Sequence, residues 1–325
     1  MTGKACLNEG LNMSIGKCII ILSEKSSGSS ACQNLLSQLA QIKHVAKTRH
    51  FENETLYWTK AASVLGLPQL KMVDSEVPIE RGKAKADLIS LLKDNLENYS
   101  PPHDDQELII SGWKRLCEKY APIFLEKSPH HLLQWSAIEL IIECIEEIDE
   151  IDFLLVGLVR NPMDTVYSQF KRWATRPEQL QYQWLVAYQN LLRLKNIMGE
   201  KLVIVRYEDM VSSPRYLRPV FDFCDVAVDE VDQNYLHQKS IFKWKGDKFF
   251  GFSLSDEVVA LAESYGYQKE ELTNRDALLW PVCREFTRIF NKGKRTLTKI
   301  VQQGAVLHGS EENGGRKRVL SRGSL

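Results

Sequence analysis

Three positively charged residues follow apolar segments of strand length, where each could help to bind an anion. Because the carboxyl ends of parallel strands meet at one edge of a sheet, we expect their side chains to lie close together. Lysine supplies a compact charge, and arginine supplies a planar set of donors that suits phosphate groups. Together they predict an anion-binding site, although each alone could be a solvated lysine or a salt-bridge partner. The residues are Lys25, Lys127 and Arg160, which follow the segments 18–22, 122–126 and 152–159.

The loop in the stretch LSEKSSGSSACQ has the composition of a phosphate-binding turn. Gly28 lets the backbone approach an anion closely, and the N–H groups at the start of the following helix point toward it. The lysine adds a charge and the serines offer hydroxyl groups. An ordinary tight connection between a strand and a helix fits these features equally well. The residues that we assign to the loop are Lys25, Ser26, Ser27, Gly28, Ser29 and Ser30.

A second candidate phosphate-binding site lies in the stretch FLLVGLVRNPMDTVYSQF. Arg160 stands at the end of its most apolar segment, and Pro162 suits the first turn of a helix. Ser168 then lies about two turns along that helix, so the arginine and the serine could hold one phosphate together. A structural salt bridge for the arginine and a solvent-facing serine would fit the same spacing.

The elements that must position these residues follow from hydrophobic patterning. Continuous apolar segments predict strands at 18–22, 122–126, 152–159 and 201–205, with a weaker fifth at 44–48. Strands that alternate with helices predict an α/β fold with three α/β/α layers and a mainly parallel central sheet. We expect one domain over 1–290 and a basic, disordered tail over 291–325. Besides the helix after Gly28, the predicted helices are 83–97, 131–147, 162–173, 180–197, 214–224 and 255–264.

The composition excludes several classes of protein. The formal net charge is zero, whereas a dedicated nucleic-acid binder usually carries a strong basic excess. No stretch reaches the roughly 18 apolar residues of a membrane span, and the N-terminus lacks the pattern of a signal peptide, so we expect a cytoplasmic protein without stable membrane insertion. The seven cysteines form no C-x-x-C pair, which is typical of small core residues in a reduced compartment and not of a zinc site.

Four segments, taken in order, resemble motifs of the sulfotransferases that use 3′-phosphoadenosine 5′-phosphosulfate (PAPS). The loop EKSSGSS resembles the family's K-S-G-T-T loop, and EKSPHHL is similar to its E-K-[ST]-P-x-H-L stretch. The stretch VRNPMDTVYS matches R-[DN]-P-x-D-x-x-x-S, and VRYEDMVSSP resembles V-R-Y-E-D-L-x-x-x-P. The four segments span about 20–225 of the chain, and their order makes the resemblance specific. In the family's common spelling the basic residue lies two positions before the glycine, whereas Lys25 lies three before Gly28.

The resemblance implies a P-loop nucleotide-kinase-like fold and an in-line transfer of a sulfuryl group from PAPS to a hydroxyl acceptor, with a carbohydrate as one candidate. Lys25 and the backbone of residues 27–30 would hold the 5′-phosphosulfate, and Arg160 and Ser168 would hold the 3′-phosphate. Lys127 would face the reacting centre. A sulfuryl group carries less charge than a phosphoryl group, so we expect metal-independent chemistry and no metal site.

The resemblance also implies a candidate general base and a candidate loop over the donor. In several carbohydrate sulfotransferases a glutamate before a pair of aromatics acts as the general base, which indicates Glu54 in the stretch HFENETLYW, with Glu52 and His50 as reserves. A solvated acid beside core aromatics is the plainer interpretation. Many members carry a basic, glycine-containing loop over the donor, although an exposed basic loop explains the same residues. Here that loop is represented by Lys243, Lys245 and Gly246.

Two alternatives remain open from the sequence. A nucleotide or sugar kinase needs a lysine directly before a magnesium-binding serine or threonine, whereas Gly28 is followed by Ser29 and Ser30. A non-catalytic nucleotide-binding scaffold of the same fold would keep the donor site and have an inert region around Glu54. The acceptor and the oligomeric state are not readable from the sequence, although residues 55–120 are expected to contribute to the acceptor pocket.

Overall fold

A five-stranded sheet lies at the centre of the computed structural model, which describes residues 16–232, 235–236, 238–247, 250–274, 284–285, 288–290 and 292–293. Every pair of neighbouring strands is parallel, and the strand order is β2-β3-β1-β4-β5. This arrangement confirms the predicted α/β class and the mainly parallel sheet. The strands are β1 Gly16–Ser23, β2 Ile42–Lys43, β3 Ile123–Lys127, β4 Ile151–Val159 and β5 Leu202–Arg206.

Helices cover both faces of this sheet. In β1, Cys18 and Ile20 belong to a core cluster on one face, whereas Ile19 and Ile21 belong to a second cluster on the other. Successive side chains of a strand point to opposite faces, so a continuous apolar strand is expected wherever both faces are buried. The helices are α1 Ser29–Leu36, α2 Tyr57–Val64, α3 Arg81–Asn95, α4 Asp105–Lys119, α5 Trp135–Glu147, α6 Pro162–Trp173, α7 Pro177–Met198, α8 Tyr207–Ser212, α9 Arg218–Phe223, α10 Asp256–Ser264 and α11 Lys269–Leu272.

Helix α6 shows why its bounds could be read from the sequence. The side chain of Asn161 accepts hydrogen bonds from the backbone N–H groups of Met163 and Asp164, and Pro162 occupies the first turn. These are a strong N-terminal cap and a residue whose fixed φ suits a helix start. At the other end Ala174 adopts a left-handed conformation with φ 58°. The helix therefore begins at Pro162, two residues after Arg160, and carries Ser168 at the end of its second turn.

The predicted strand at 44–48 is wrong. The fifth strand is the two-residue β2, which ends at Lys43. Beyond it the backbone N–H groups of Ala46 and Lys47 donate to the side-chain oxygen of Asn95 in α3, and Ala46 also donates to the Tyr120 hydroxyl. Because side chains satisfy these backbone groups, the segment does not extend the edge of the sheet.

Helix α2 was not predicted, and its surroundings explain why. All eight of its residues are buried, including Thr59 and Lys60. An amphipathic helix is recognised by the contrast between an apolar stripe and a polar face, and a helix buried on all sides shows no such contrast. Helix α4 was also missed. The predicted helix at 214–224 is present in two parts, a short 3₁₀ helix at Pro214–Leu217 followed by α9.

Other expectations fall partly outside the described residues. Five cysteines are described, and all of them are buried and free; Cys6 and Cys283 lie outside the described part. The expected tail at 291–325 also lies outside it, apart from Lys292 and Gly293. No helix in the part of the chain that the structure describes is long and apolar enough to cross a membrane.

Candidate active site

The carboxyl ends of β1, β3 and β4 border a cavity of about 520 Å³, which we call the loop cleft. It brings together most of the residues that the sequence predicts for a site, from the loop after β1, the end of β4 and helix α6. It also contains residues that were not predicted. The lining residues are Lys25, Ser26, Gly28, Ser29, Ser30, Glu52, Glu54, Asp74, Pro129, His130, Arg160, Ser168, Arg172 and Trp173.

The loop between β1 and α1 contains two residues in the left-handed region, Ser26 with φ 63° and Gly28 with φ 89°. The backbone N–H of Ser27 donates to the Glu24 carbonyl, which closes a turn before the helix begins at Ser29. Gly28, and not Ser27, is therefore the left-handed residue that directly precedes the helix.

The side chain of Ser27 does not face the cleft. Its hydroxyl is buried and lies 2.9 Å from the Tyr188 hydroxyl, which in turn donates to the Leu158 carbonyl. This serine therefore helps to fix the loop to the sheet and to α7. Among the serines assigned to the loop, Ser26, Ser29 and Ser30 are the ones that line the cleft.

Gly28 is required for a reason that the sequence did not reveal. A Cβ atom at this position would lie 2.2 Å from Cδ2 of Tyr207, which is closer than real atoms approach. The Tyr207 ring also lies under the Arg160 guanidinium, with 4.6 Å between the carbon of the charged group and the ring centroid. The glycine therefore makes room for the aromatic ring that supports Arg160.

We expect Gly28→Ala to lower the free energy of unfolding by about 3 kcal/mol, because it adds a clash to an unfavourable φ. Gly66→Ala is the matched control, since Gly66 has φ 69° and open space around its Cβ position. That control should cost about 1 kcal/mol from backbone strain alone. Urea unfolding of both variants measures the difference. Equal losses would show that the contact with Tyr207 is unimportant.

Arg160 connects two segments at the cleft. Its Nη1 donates to the Ser26 carbonyl and its Nη2 to the Ser240 carbonyl, both at 2.8 Å. Its buried Nε finds no hydrogen-bond partner among the described residues. Both terminal nitrogens are therefore engaged with the backbone, while the Nε donor is available to a group in the cleft.

Helix α6 contributes one face to the cleft. Ser168 and Arg172 are four residues apart, so they lie on the same side of the helix, and both line the cavity together with Trp173. Arg172 was not predicted, although its spacing from Ser168 could have indicated it. Its guanidinium carbon lies 5.2 Å from the centroid of the Trp173 ring. The face therefore offers a hydroxyl, a positive charge and an aromatic surface.

Lys25 is buried on the side of the cleft where Val73 and Trp173 lie. Its ammonium donates to the Val73 carbonyl at 2.6 Å and lies 5.0 Å from the centroid of the Trp173 ring. Burial lowers the pKa of this lysine below its usual value, and the nearby carboxylate of Glu24 partly opposes the shift. The charge of Lys25 is thus directed toward the segment at 73–74.

Lys127 lies fully buried beneath the cleft at the end of β3. Its ammonium donates to the Ser30 hydroxyl at 3.2 Å, the Glu52 carbonyl at 3.1 Å and a Glu54 carboxylate oxygen at 3.2 Å. The Ser30 hydroxyl also makes a short hydrogen bond to the Glu52 carboxylate. Lys127 therefore joins the loop to the two acids that the sequence nominated.

Glu54 and His130 form a pair of groups able to accept a proton. The Nδ1 atom of His130 lies 3.7 Å from the Glu54 carboxylate. Burial raises the pKa of Glu54 above its usual value, while Lys127 opposes the shift. Burial also lowers the pKa of His130 well below its usual range, so its imidazole is neutral at neutral pH. His130 was not nominated from the sequence, although it stands in the quoted EKSPHHL stretch.

Several nominated residues lie away from the cleft lining. The reserve base His50 lies 3.7 Å from the Glu76 carboxylate instead. Lys243, Lys245 and Gly246 are the exposed residues of a short 3₁₀ helix at Lys243–Gly246, and the Lys245 ammonium lies 4.2 Å from the centroid of the Phe242 ring. Within the described ranges, no group of three or more His, Cys, Asp or Glu residues is placed to hold a metal ion.

A carboxyl group beneath the loop has an unusual environment. Glu24 is fully buried; one of its oxygens accepts a hydrogen bond of 3.3 Å from Gln169, and the other finds no hydrogen-bond partner among the described residues. Burial raises the pKa of Glu24 from 4.5 to about 7. Between these two values the folded protein holds a proton that the unfolded chain has released.

We therefore expect Glu24 to make the protein less stable as pH rises from 4.5 to about 7, with no further loss above that range. The expected loss is about 3 kcal/mol. Urea unfolding of the wild type and of Glu24→Gln at each pH isolates the effect, because the variant cannot ionise there. A difference between the two proteins that does not change with pH would contradict this prediction.

Comparison with known proteins gives a family and a fold. Residues 18–230 match the family model described as Sulfotransferase family. The sulfotransferase domain of the olefin synthase from Synechococcus PCC 7002 is similar in structure, with a TM-score of 0.51 and 17% identity over 79% of this chain and 96% of that one. A comparison with curated protein sequences gives no match.

Two further solved structures are more distant. The sulfotransferase STF9 from Mycobacterium avium has a TM-score of 0.39 and 14% identity, covering 79% of this chain and 76% of its own. A sulfotransferase from Alicyclobacillus acidocaldarius has a TM-score of 0.42 and 15% identity, covering 76% of this chain and 94% of its own.

Proposed function

The chain belongs to the sulfotransferase family, and from that premise we propose that it transfers a sulfuryl group from PAPS to a hydroxyl group of an acceptor. The observation that carries the proposal is that two separate sets of anion donors face one cleft. One set is the loop at 25–30, and the other is Arg160 with Ser168. A nucleotide with anionic groups at both its 5′ and 3′ positions suits such an arrangement, whereas a single phosphate needs only one set.

Polar atoms at the cleft support this donor. The hydroxyl oxygen of Ser26 and the Nε atom of Arg160 are buried without hydrogen-bond partners among the described residues. Unpartnered buried polar atoms are costly, so they are expected to bind a polar ligand or water. The proposal assigns the loop and Lys25 to the 5′-phosphosulfate, and Arg160 and Ser168 to the 3′-phosphate. Lys243, Lys245 and Gly246 remain proposed as a cover over the donor.

The proposed transfer depends on Lys127, beneath the cleft, and on Glu54 and His130, which line it. The proposal assigns Lys127 to the oxygen that bears charge as the sulfur–oxygen bond to the nucleotide breaks, since an ammonium stabilises developing negative charge. Glu54 takes the proton from the acceptor hydroxyl, whose oxygen forms the new bond to sulfur. His130 is a second candidate base, because its neutral imidazole lies beside Glu54. The proposed chemistry uses no metal ion.

The other interpretations receive no specific support. A kinase would need a lysine directly before a magnesium-binding serine or threonine, whereas Gly28 is followed by Ser29 and Ser30, and β4 is followed by Arg160 where an acidic residue would be needed. A non-catalytic scaffold would not explain the buried group of Lys127, Glu54 and His130. We also retain a cytoplasmic location in the proposal, supported by the five buried free cysteines.

Binding of 3′-phosphoadenosine 5′-phosphate (PAP), measured by calorimetry, tests the donor assignment. We expect the wild type to bind PAP and Ser168→Ala to bind it about tenfold more weakly, because a hydrogen bond to a charged group is lost. Adenosine 5′-phosphate is the matched ligand, since it lacks the 3′-phosphate, and its affinity should not change in the variant. Failure of the wild type to bind PAP would refute the proposal. An equal effect on both nucleotides would remove Ser168 from the 3′-phosphate.

A further inference from the structure

A second, larger cavity of about 800 Å³ lies beside the loop cleft, and we call it the basic cleft. Its lining includes four positively charged residues and a single carboxylate. The volume is within the range of pockets that bind small molecules. The charged lining residues are Lys71, Asp74, Arg176, Arg288 and Lys292.

The two clefts share a wall. Asp74 and Trp173 line both cavities. Lys25 contacts this wall, because its ammonium donates a hydrogen bond to the Val73 carbonyl and lies over the Trp173 ring. On the other side of the wall the loop cleft contains Glu54, the proposed base. The two cavities therefore adjoin each other at Asp74 and Trp173, which places the basic cleft next to the cavity that contains the proposed base.

Internal ion pairs neutralise only part of the positive charge. Arg288 is bonded to the Glu285 carboxylate, with its Nε donating at 2.9 and 2.8 Å. By contrast, Lys71 and Arg176 are exposed and form no ion pair within 4.0 Å in the described part of the chain, although the charge of Arg176 helps to lower the pKa of the nearby Glu285. Because neither side chain has to break a direct ion pair to meet a ligand, these two residues are the main candidates to bind an anion.

We infer that the acceptor carries an anionic group, such as a carboxylate, phosphate or sulfate, in addition to the hydroxyl that receives the sulfuryl group. Lys71 and Arg176 bind that group in the basic cleft while the hydroxyl lies near Glu54. This inference rests on the proposed function and names the class of its acceptor. Positive charge at the cleft mouth also attracts an anionic acceptor and disfavours neutral ones of similar shape.

Calorimetric titration of the PAP-saturated protein with inorganic sulfate at constant ionic strength tests the inference. PAP occupies the phosphate sites of the loop cleft, so the sulfate that binds reports on the remaining anion sites. We expect Lys71→Gln/Arg176→Gln to weaken sulfate binding by about fivefold or more and to leave PAP affinity unchanged. The control is Lys93→Gln/Lys269→Gln, which removes the same charge from exposed positions that do not line the basic cleft.

The outcomes distinguish a failure of the inferred acceptor class from a failure of the proposed function. If PAP does not bind, the proposed function fails. If PAP binds and sulfate does not, or if sulfate binds equally to the wild type and to the cleft variant, the acceptor class is wrong and the proposed function stands. An equal loss in the cleft variant and in the control would show a general charge effect and would also overturn the inference. A loss confined to the cleft variant supports it.

Discussion

Glu54→Gln should lower the rate of sulfuryl transfer by about 1,000-fold while PAP affinity stays within about twofold of the wild type. The substitution preserves the shape of the side chain and removes its ability to accept a proton. Burial already raises the pKa of this carboxyl group, which makes it a stronger base than an exposed glutamate. Single-turnover transfer from labelled PAPS, at a saturating concentration of an identified hydroxyl acceptor, measures the chemical step.

Two neighbours provide the controls for that measurement. Glu52→Gln changes a carboxyl group that also lines the loop cleft but lies farther from Lys127, at 3.9 Å, and it should reduce transfer by less than about tenfold. His130→Asn distinguishes the two candidate bases. If it abolishes transfer while Glu54→Gln does not, His130 is the base and the assignment of Glu54 is wrong.

Lys127→Met should reduce transfer by about 100-fold to 1,000-fold, because the charge proposed to stabilise the leaving oxygen is removed. It should also lower the free energy of unfolding by about 3 kcal/mol, since the Glu54 carboxylate loses its partner in a buried site. Methionine fills a similar volume, so both expected effects come mainly from the loss of charge and not from a cavity. Transfer assays and urea unfolding of the same preparation give both values.

A double variant separates these two effects. Lys127→Met/Glu54→Gln removes both charges of the pair, so much of the lost stability should return while transfer stays as low as in either single variant. Recovery of transfer along with stability would mean that Lys127 acts only by holding the fold together. Unchanged stability in Lys127→Met would instead show that the ion pair with Glu54 contributes little.

The arrangement around Arg160 could be read largely from the sequence. The apolar segment that became β4, the cap at Asn161 and the helix that carries Ser168 all depend on neighbouring residues in the chain. Local patterns of this kind determine where a strand ends and a helix begins. The rule for parallel sheets predicted that Lys25, Lys127 and Arg160 would lie close together; Lys25 and Arg160 line one cleft, whereas Lys127 is buried beneath it.

Other features depend on contacts between residues far apart in the chain. Glu54 meets His130, Lys25 reaches the Val73 carbonyl, and the ring of Tyr207 occupies the space above Gly28. No periodic pattern encodes such contacts, because they depend on how the connecting segments cross the sheet edge. The same reason accounts for the missed helix α2, whose burial on all sides leaves no polar face to detect.

The sequence by itself determined the α/β class, the motif-bearing strands and helices, and the residue types that can bind an anion. Apolar periodicity, capping residues and turn chemistry are local properties, so they can be recognised in the sequence alone. Only the tertiary structure decided which charged groups share a cleft, which are paired, and that a second basic cleft adjoins the first across Asp74 and Trp173. These features arise from packing between distant segments, where burial and proximity change the pKa and the availability of each side chain.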